Sequence, residues 1–202
     1  MRANILLPMK SIYFAGPDVF YPDAARLADE HKTLCRQYGF EPLHPIDQPT
    51  LALRHIFDTN IELLGRADAV VANLNPFRGA EVDSGTAFEV GFAVARGIPV
   101  VGYIESSECL KDRVGRLFGP LGEQDGVWRD QDGNLVENFG HPVNLMLAES
   151  CLIVVGALEV ALQALRSAKS IPEQLASLRR LRGRLPADYR DGRDERFDID
   201  KI

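Results

Sequence analysis

The apolar positions of this chain fall into short runs that alternate with longer helical repeats. Ser11 to Ala15 (S-I-Y-F-A) is a compact apolar run stopped by Gly16-Pro17, and it predicts a first strand. Pro22 suits the first turn of a helix running to about Tyr38, with Gly39 as its stop. An extended piece at Phe40 to Leu43 leads into a loop punctuated by Pro45 and Pro49. Leu53, Ile56, Phe57, Asn60, Ile61 and Leu64 then recur on a helical period over about Thr50 to Arg66. Asn60 is the one polar member of that stripe. Ala69 to Leu74 and Ile98 to Tyr103 read as buried parallel strands, and the helix-like run Ser84 to Arg96 between them makes a right-handed crossover. Residues 105 to 140 read as irregular, with Gly at 115, 119, 122, 126, 133 and 140; a small hairpin around Asp132-Gly133 fits Asp125 to Val136. So long a non-helical insertion is often a lid or a binding loop. Pro142 is expected to start a short helix, followed by a last apolar run at Cys151 to Val155 and a helix at Ala157 to Ser167. Leu175, Leu178, Leu181 and Leu185 mark a final amphipathic helix before a charged tail, which is expected to be mobile or to lie on a neighbouring subunit.

Alternating strands and helices predict the α/β class: a single doubly wound parallel sheet of the flavodoxin or Rossmann kind with flanking helices. The domain is expected to occupy residues 1–170, with the last helix and tail in 171–202. In such sheets ligands bind outside the carboxyl ends of the strands. Three groups fall there: Tyr13 with Gly16, Pro17 and Asp18; Asn73, Asn75 and the loop to Asp83; and Glu89, one to two turns into the following helix.

Composition narrows the partners. A length of 202 residues fits one domain with a sizeable core, and the net charge of −6 argues against nucleic acid, whose phosphates need clustered Lys and Arg. Cys35, Cys109 and Cys151 have no metal-like spacing and read as reduced thiols. No apolar run approaches a membrane span, and the apolar part of the first ten residues is too short for a signal peptide. The expected compartment is the cytoplasm.

Glu89 is the one ionisable residue inside the run S-G-T-A-F-E-V-G-F-A-V-A-R, and its neighbours a turn away, Gly85, Thr86, Phe92 and Ala93, are small or apolar. A carboxylate there loses hydration, so it is held either by a hydrogen-bond network for structure or ready for chemistry. Bland readings stand beside each other candidate. Tyr13 alternates with Ile12 and Phe14 as a core aromatic would, Asp83 and Asn144 are placed as helix caps, and Met146 suits packing. His31, His44, His55 and His141 are scattered. There is no dinucleotide fingerprint, P-loop, serine elbow or Cys/His pair. What survives is carboxylate chemistry with Glu89 and Asp83 as the pair, the arrangement that retaining glycosidic cleavage needs.

Three blocks, Ile12 to Phe20 (I-Y-F-A-G-P-D-V-F), Ala67 to Ala93 (through N-P-F-R-G-A-E-V-D-S-G-T-A-F-E) and Pro142 to Leu147 (P-V-N-L-M-L), closely resemble the nucleoside 2-deoxyribosyltransferases in order and spacing. The resemblance covers roughly residues 10 to 168. It implies that Glu89 is the nucleophile, that Tyr13 orients its carboxylate, and that Asp83 lies by the substrate. It also implies that Asn144 and Met146 reach the sugar in an adjacent subunit's site, and that Asp47 or Gln48 reads the base. Gly16, Phe20, Asn60, Asn75, Arg78 and Gly85 complete the expected substrate-binding set. Some members carry Asp where this chain has Asn60.

The resulting expectation is an enzyme of nucleobase salvage that swaps the base of a 2′-deoxyribonucleoside for a free nucleobase, without metal or organic cofactor, as a dimer-based homo-oligomer with shared sites. The nearest alternative is a hydrolase of the same fold acting on a deoxynucleoside 5′-monophosphate, with Arg78 meeting the phosphate. A third reading is a non-catalytic nucleotide-binding module in which Glu89 is structural.

Overall fold

The computed structural model describes residues 10–47 and 52–167. Five parallel strands, β1 (Ser11–Ala15), β2 (Glu41–Leu43), β3 (Ala69–Asn73), β4 (Val100–Ile104) and, later in the chain, β8 (Leu152–Val155), form one sheet in the order β2-β1-β3-β4-β8. The helices are α1 (Ala24–Gln37), α2 (Leu53–Arg66), α3 (Ser84–Arg96), α4 (Leu110–Phe118), α5 (Leu145–Ser150) and α6 (Leu158–Ser167). Strand alternation divides the core between the two sheet faces. Tyr13, Ala15, Val70 and Ala72 cluster with Leu64 of α2, Val90 and Ala93 of α3, and Leu147 of α5. Ile12, Phe14, Ala69 and Val71 cluster with Cys35 of α1 and Leu162 and Leu165 of α6. The central strands are buried on both faces, as a sheet with helices on both sides requires.

The chain leaves β1 for the edge strand β2 and returns through α2 to β3 on the other side of β1. That reversal is the switch point of a doubly wound sheet, and it opens a crevice at the carboxyl ends of β1 and β3. Asp68 fixes the opposite end of the pair: its Oδ2 accepts the Ser11 N–H and the Ser11 hydroxyl, each at 2.9 Å.

The structure corrects the expected elements in four places. Pro22 does not open α1; a 3-10 turn over Pro17–Phe20 comes first, and α1 begins at Ala24. Pro142 does not open α5; Asn144 does, as its N-cap, with its Oδ1 accepting the Met146 N–H at 2.9 Å. The fourth strand is displaced to Val100–Ile104, because Gly97 in the left-handed region (φ 72°) ends α3 and residues 98–99 complete the turn.

The fourth correction is the region 105–140, which is largely regular. It holds α4 and a small antiparallel sheet of β5 (Gly122–Gln124), β6 (Val127–Arg129) and β7 (Leu135–Val136). The expected hairpin around Asp132-Gly133 is present as β6–β7. A second hairpin precedes it, joined by Asp125 and Gly126, whose positive φ values of 55° and 80° suit a two-residue turn. The helix expected near Leu175 to Leu185 and the boundary at 170/171 lie outside the described residues.

Candidate active site

The site is built where α3 meets the end of the sheet. Asp83 caps α3: its Oδ2 accepts the Thr86 N–H at 2.9 Å and the Thr86 hydroxyl at 3.1 Å. The cap reading of Asp83 therefore holds, and it sets the helix so that Glu89 comes round above β1. There the Tyr13 hydroxyl donates to Glu89 Oε1 at 2.5 Å. Tyr13 is fully buried in the core cluster, so the core-aromatic reading is also correct for its ring, while its hydroxyl reaches the carboxylate.

Glu89 is half-buried. Removal from water pushes its carboxyl up to about 7, a rise that the Tyr13 hydrogen bond opposes and the negative charge of Asp83 reinforces. Burial, with Glu89 beside it, holds the Tyr13 phenol far above its ordinary value, so the phenol keeps its proton and can only donate to this carboxylate.

Glu89 lines a cavity of about 270 Å³ with Asn60, Gly85, Leu53, Phe57 and Phe88, near the lower end of the roughly 300–1,000 Å³ usual for small-molecule sites. The Phe57 and Phe88 rings lie 6.0 Å apart. Asn60 Oδ1 is buried with no hydrogen-bond partner among the described residues. An acceptor in that state costs about 1–3 kcal/mol unless a ligand supplies a donor. Leu53, Phe57 and Phe88 are exposed, so the cavity wall continues into an apolar surface.

The remaining expected residues occupy neighbouring ground. Gly16 has extended backbone, but a Cβ there would collide with Asp18 Oδ2 and lie 2.9 Å from Asn73 Cβ, so the space rather than the torsion demands glycine. Asn73, which is buried, donates through Nδ2 to Asp18 Oδ2 at 3.1 Å and accepts the Asn75 side-chain N–H at 2.9 Å. Asn75 Oδ1 in turn accepts the Glu105 N–H at 2.9 Å. Asn75 thus braces the loops after β1, β3 and β4 against one another. Phe20 stacks on Phe77 with ring centroids 5.7 Å apart, and the Arg78 guanidinium lies 4.6 Å from the centre of Phe77 and 5.2 Å from that of Phe20. Arg78 lines a different cavity, of about 530 Å³, between the 77–81 loop, α4 and the small sheet.

Asp47 is exposed and pairs with Lys32 at 2.8 Å, and it does not line the Glu89 cavity; Gln48 lies outside the described residues. Asn144 and Met146 line a third cavity, of about 330 Å³, on the α5 side of α3. The structure thus brings Tyr13, Glu89, Gly85 and Asn60 together, with Asp83 at the head of the same helix, and puts Asn144 and Met146 elsewhere in the same chain. Sequence reasoning missed Phe57 and Phe88 as cavity walls, although both stand on the apolar period of their helices. It also missed Glu137, whose carboxylate accepts from Asn144 Nδ2 at 2.7 Å and from the Leu145 N–H at 2.8 Å.

Comparison with known proteins bears on the fold and the family. The fold matches a 2-deoxyribosyltransferase from Leishmania mexicana with a TM-score of 0.66 and 32% identity, over 79% of this chain and 99% of that one. A conserved protein of Enterococcus faecalis, 22% identical over 79% of this chain and 98% of its own, shares the fold with a TM-score of 0.53. An uncharacterised protein of Schizosaccharomyces pombe is 30% identical over 156 residues, 67% of this chain and 74% of that one. Among the described residues no helix is long and apolar enough to cross a membrane. The family model for nucleoside 2-deoxyribosyltransferases matches residues 12–146, the span from β1 into α5 that contains Tyr13, Asp83 and Glu89, and the chain belongs to that family.

Proposed function

We propose that this protein transfers a 2-deoxyribosyl group from one nucleobase to another, as an enzyme of nucleobase salvage, through a covalent ester on Glu89. The observation that carries the reading is the Glu89 carboxylate, held by the buried Tyr13 hydroxyl in an apolar, aromatic-walled cavity at the end of the sheet. With Tyr13 fixed on Oε1, Oε2 is the oxygen that attacks the anomeric carbon. The C–N bond to the departing base breaks as the C–O bond to Glu89 forms, and the bonding pair leaves on the base nitrogen, which takes a proton. On this reading Asp83, at the head of the same helix, manages that proton or holds a sugar hydroxyl. A carboxylate short of water stabilises the oxocarbenium-like transition state electrostatically and then bonds to it. The incoming base reverses the step, so two displacements retain the β configuration. Phe57 and Phe88 offer faces on which a base can stack, and Asn60 Oδ1 accepts from a donor on the substrate.

Asn144 and Met146 act on this reading in an adjacent subunit's site. Met146 is 74% exposed, and neither residue lines the Glu89 cavity of its own chain, both of which suit a role across an interface. The donors are deoxyribonucleosides and the acceptors are free nucleobases. Incubation with deoxyinosine and adenine, followed by chromatography, tests the proposal: deoxyadenosine is the expected product. Hypoxanthine alone would instead show a hydrolase, and unchanged substrates a binding module.

A further inference from the structure

The insertion between β4 and α5 grips both the loop that leads into α3 and the loop that leads into α5. Arg113 of α4 is 2% exposed, yet it carries a full charge into the protein. Its Nη1 donates to the Ala80 carbonyl at 3.1 Å and to the Pro142 carbonyl at 2.8 Å, and its Nη2 donates to the Glu108 carbonyl at 3.0 Å. Ala80 lies three residues before Asp83, and Pro142 lies two before Asn144. One rigid guanidinium fork therefore ties the loop that caps α3 to the loop that opens α5.

Further contacts from the same insertion hold the second loop. The Leu110 N–H donates to the His141 carbonyl at 2.8 Å. Glu137, just after β7, accepts from Asn144 Nδ2 and from the Leu145 N–H. Asn144 is left with one orientation, its Oδ1 on the Met146 N–H and its Nδ2 on Glu137. Glu108 offers Arg113 only a distant counter-charge, at 3.6 Å, because the exposed Arg116 takes both of its oxygens at 2.8 Å. A guanidinium buried largely against carbonyl dipoles is a poor device for stability alone, since its desolvation offsets much of its attraction. It is a good device for fixing distances, because a fork of donors accepts only a narrow range of carbonyl positions.

We infer that Arg113 and Glu137 are positioning residues: the insertion is a clamp that sets the 77–83 loop and the start of α5 for sugar recognition, through Asp83, Asn144 and Met146. The inference rests on the deoxyribosyl-transfer reading for its catalytic consequence, though the clamp itself can be tested without it.

Two measurements on Arg113→Met, Arg113→Lys and Glu137→Gln test the clamp. Amide hydrogen exchange of the unliganded protein is expected to speed up roughly tenfold or more in both the 77–83 and 141–146 segments for Arg113→Met, less for Arg113→Lys, and in 141–146 alone for Glu137→Gln. Steady-state transfer is expected to show KM for the deoxynucleoside raised roughly tenfold with a smaller fall in kcat, because Tyr13 and Glu89 themselves are untouched. A merely structural role would reduce the active fraction, and so kcat, at constant KM. That result, or wild-type exchange in both segments, would overturn the inference. If the Arg113 variants do not fold, the isosteric Glu137→Gln tests the 141–146 half of the clamp by the same two readouts. If the wild-type protein processes no deoxynucleoside, the proposed function fails, and the exchange data alone decide whether the clamp exists.

Discussion

Tyr13 and Glu89 stand 76 residues apart in the chain and meet through a 2.5 Å hydrogen bond at the end of the central sheet. Each residue restricts the other. The phenol, buried beyond reach of water, stays protonated and donates; the carboxylate, lifted by burial, is drawn back toward ionisation by that donation. On the proposed reading the pair supplies a nucleophile whose charge is expensive but available near neutral pH.

The acid limb of the pH–rate profile follows from this relationship. If Glu89 attacks as the carboxylate, kcat/KM should fall as pH drops through about 7. Tyr13→Phe removes a hydrogen bond to the charged form and should move the limb to higher pH, whereas Asp83→Asn removes a repelling charge and should move it to lower pH. Profiles of the three proteins side by side test this. Shifts in the same direction would show that Glu89 is not the group being titrated.

The raised carboxyl also links stability to pH. Glu89 binds its proton more tightly in the folded state than at its ordinary value of 4.5, so the native protein holds the extra proton between pH 4.5 and about 7. Its contribution to stability is therefore complete below 4.5 and lost as pH rises to about 7. Glu89→Gln mimics the protonated form, and above pH 7 it should be more stable than the wild type by on the order of 2 kcal/mol while losing several orders of magnitude in rate. Denaturant unfolding at pH 5 and pH 8 measures the difference. An equal effect of the substitution at both pH values would remove burial as the cause.

Much of this is legible in the chain. Strict alternation assigns Ile12 and Phe14 to one face of β1 and Tyr13 to the other, and the isolation of Glu89 in an apolar helix marks the site. The helix α4 is hidden by its glycine, because Gly115 reads as a breaker while Leu110, Val114, Leu117 and Phe118 keep a helical spacing straight through it. The brace of Asp18 and Asn73 spans 55 residues and exists only once β1 and β3 lie side by side. Glu137 sits in no periodic pattern, and its role is defined by partners that the fold brings to it. Asn144 and Met146 stand out by resemblance alone, and one chain places them in a different cavity from Glu89.

Asn60 separates stability from function. Because its Oδ1 has no partner among the described residues, Asn60→Leu should leave the thermal midpoint unchanged or raise it by a few degrees. The same change removes the acceptor offered to substrate, and kcat/KM should fall roughly tenfold to a hundredfold. Calorimetry and steady-state kinetics on one preparation check both halves. A destabilised protein with normal kinetics would mean that Asn60 is held by the fold and not reserved for a ligand.

The covalent ester on Glu89 is tested most directly by intact mass spectrometry of enzyme mixed with deoxyinosine alone and quenched in acid. With no acceptor base present, the ester should accumulate as one added deoxyribosyl mass, and proteolysis should place it on the peptide containing Glu89 and nowhere else. Glu89→Ala should show no adduct and almost no transfer. An adduct on another residue, or near-normal transfer by Glu89→Ala, would contradict the mechanism.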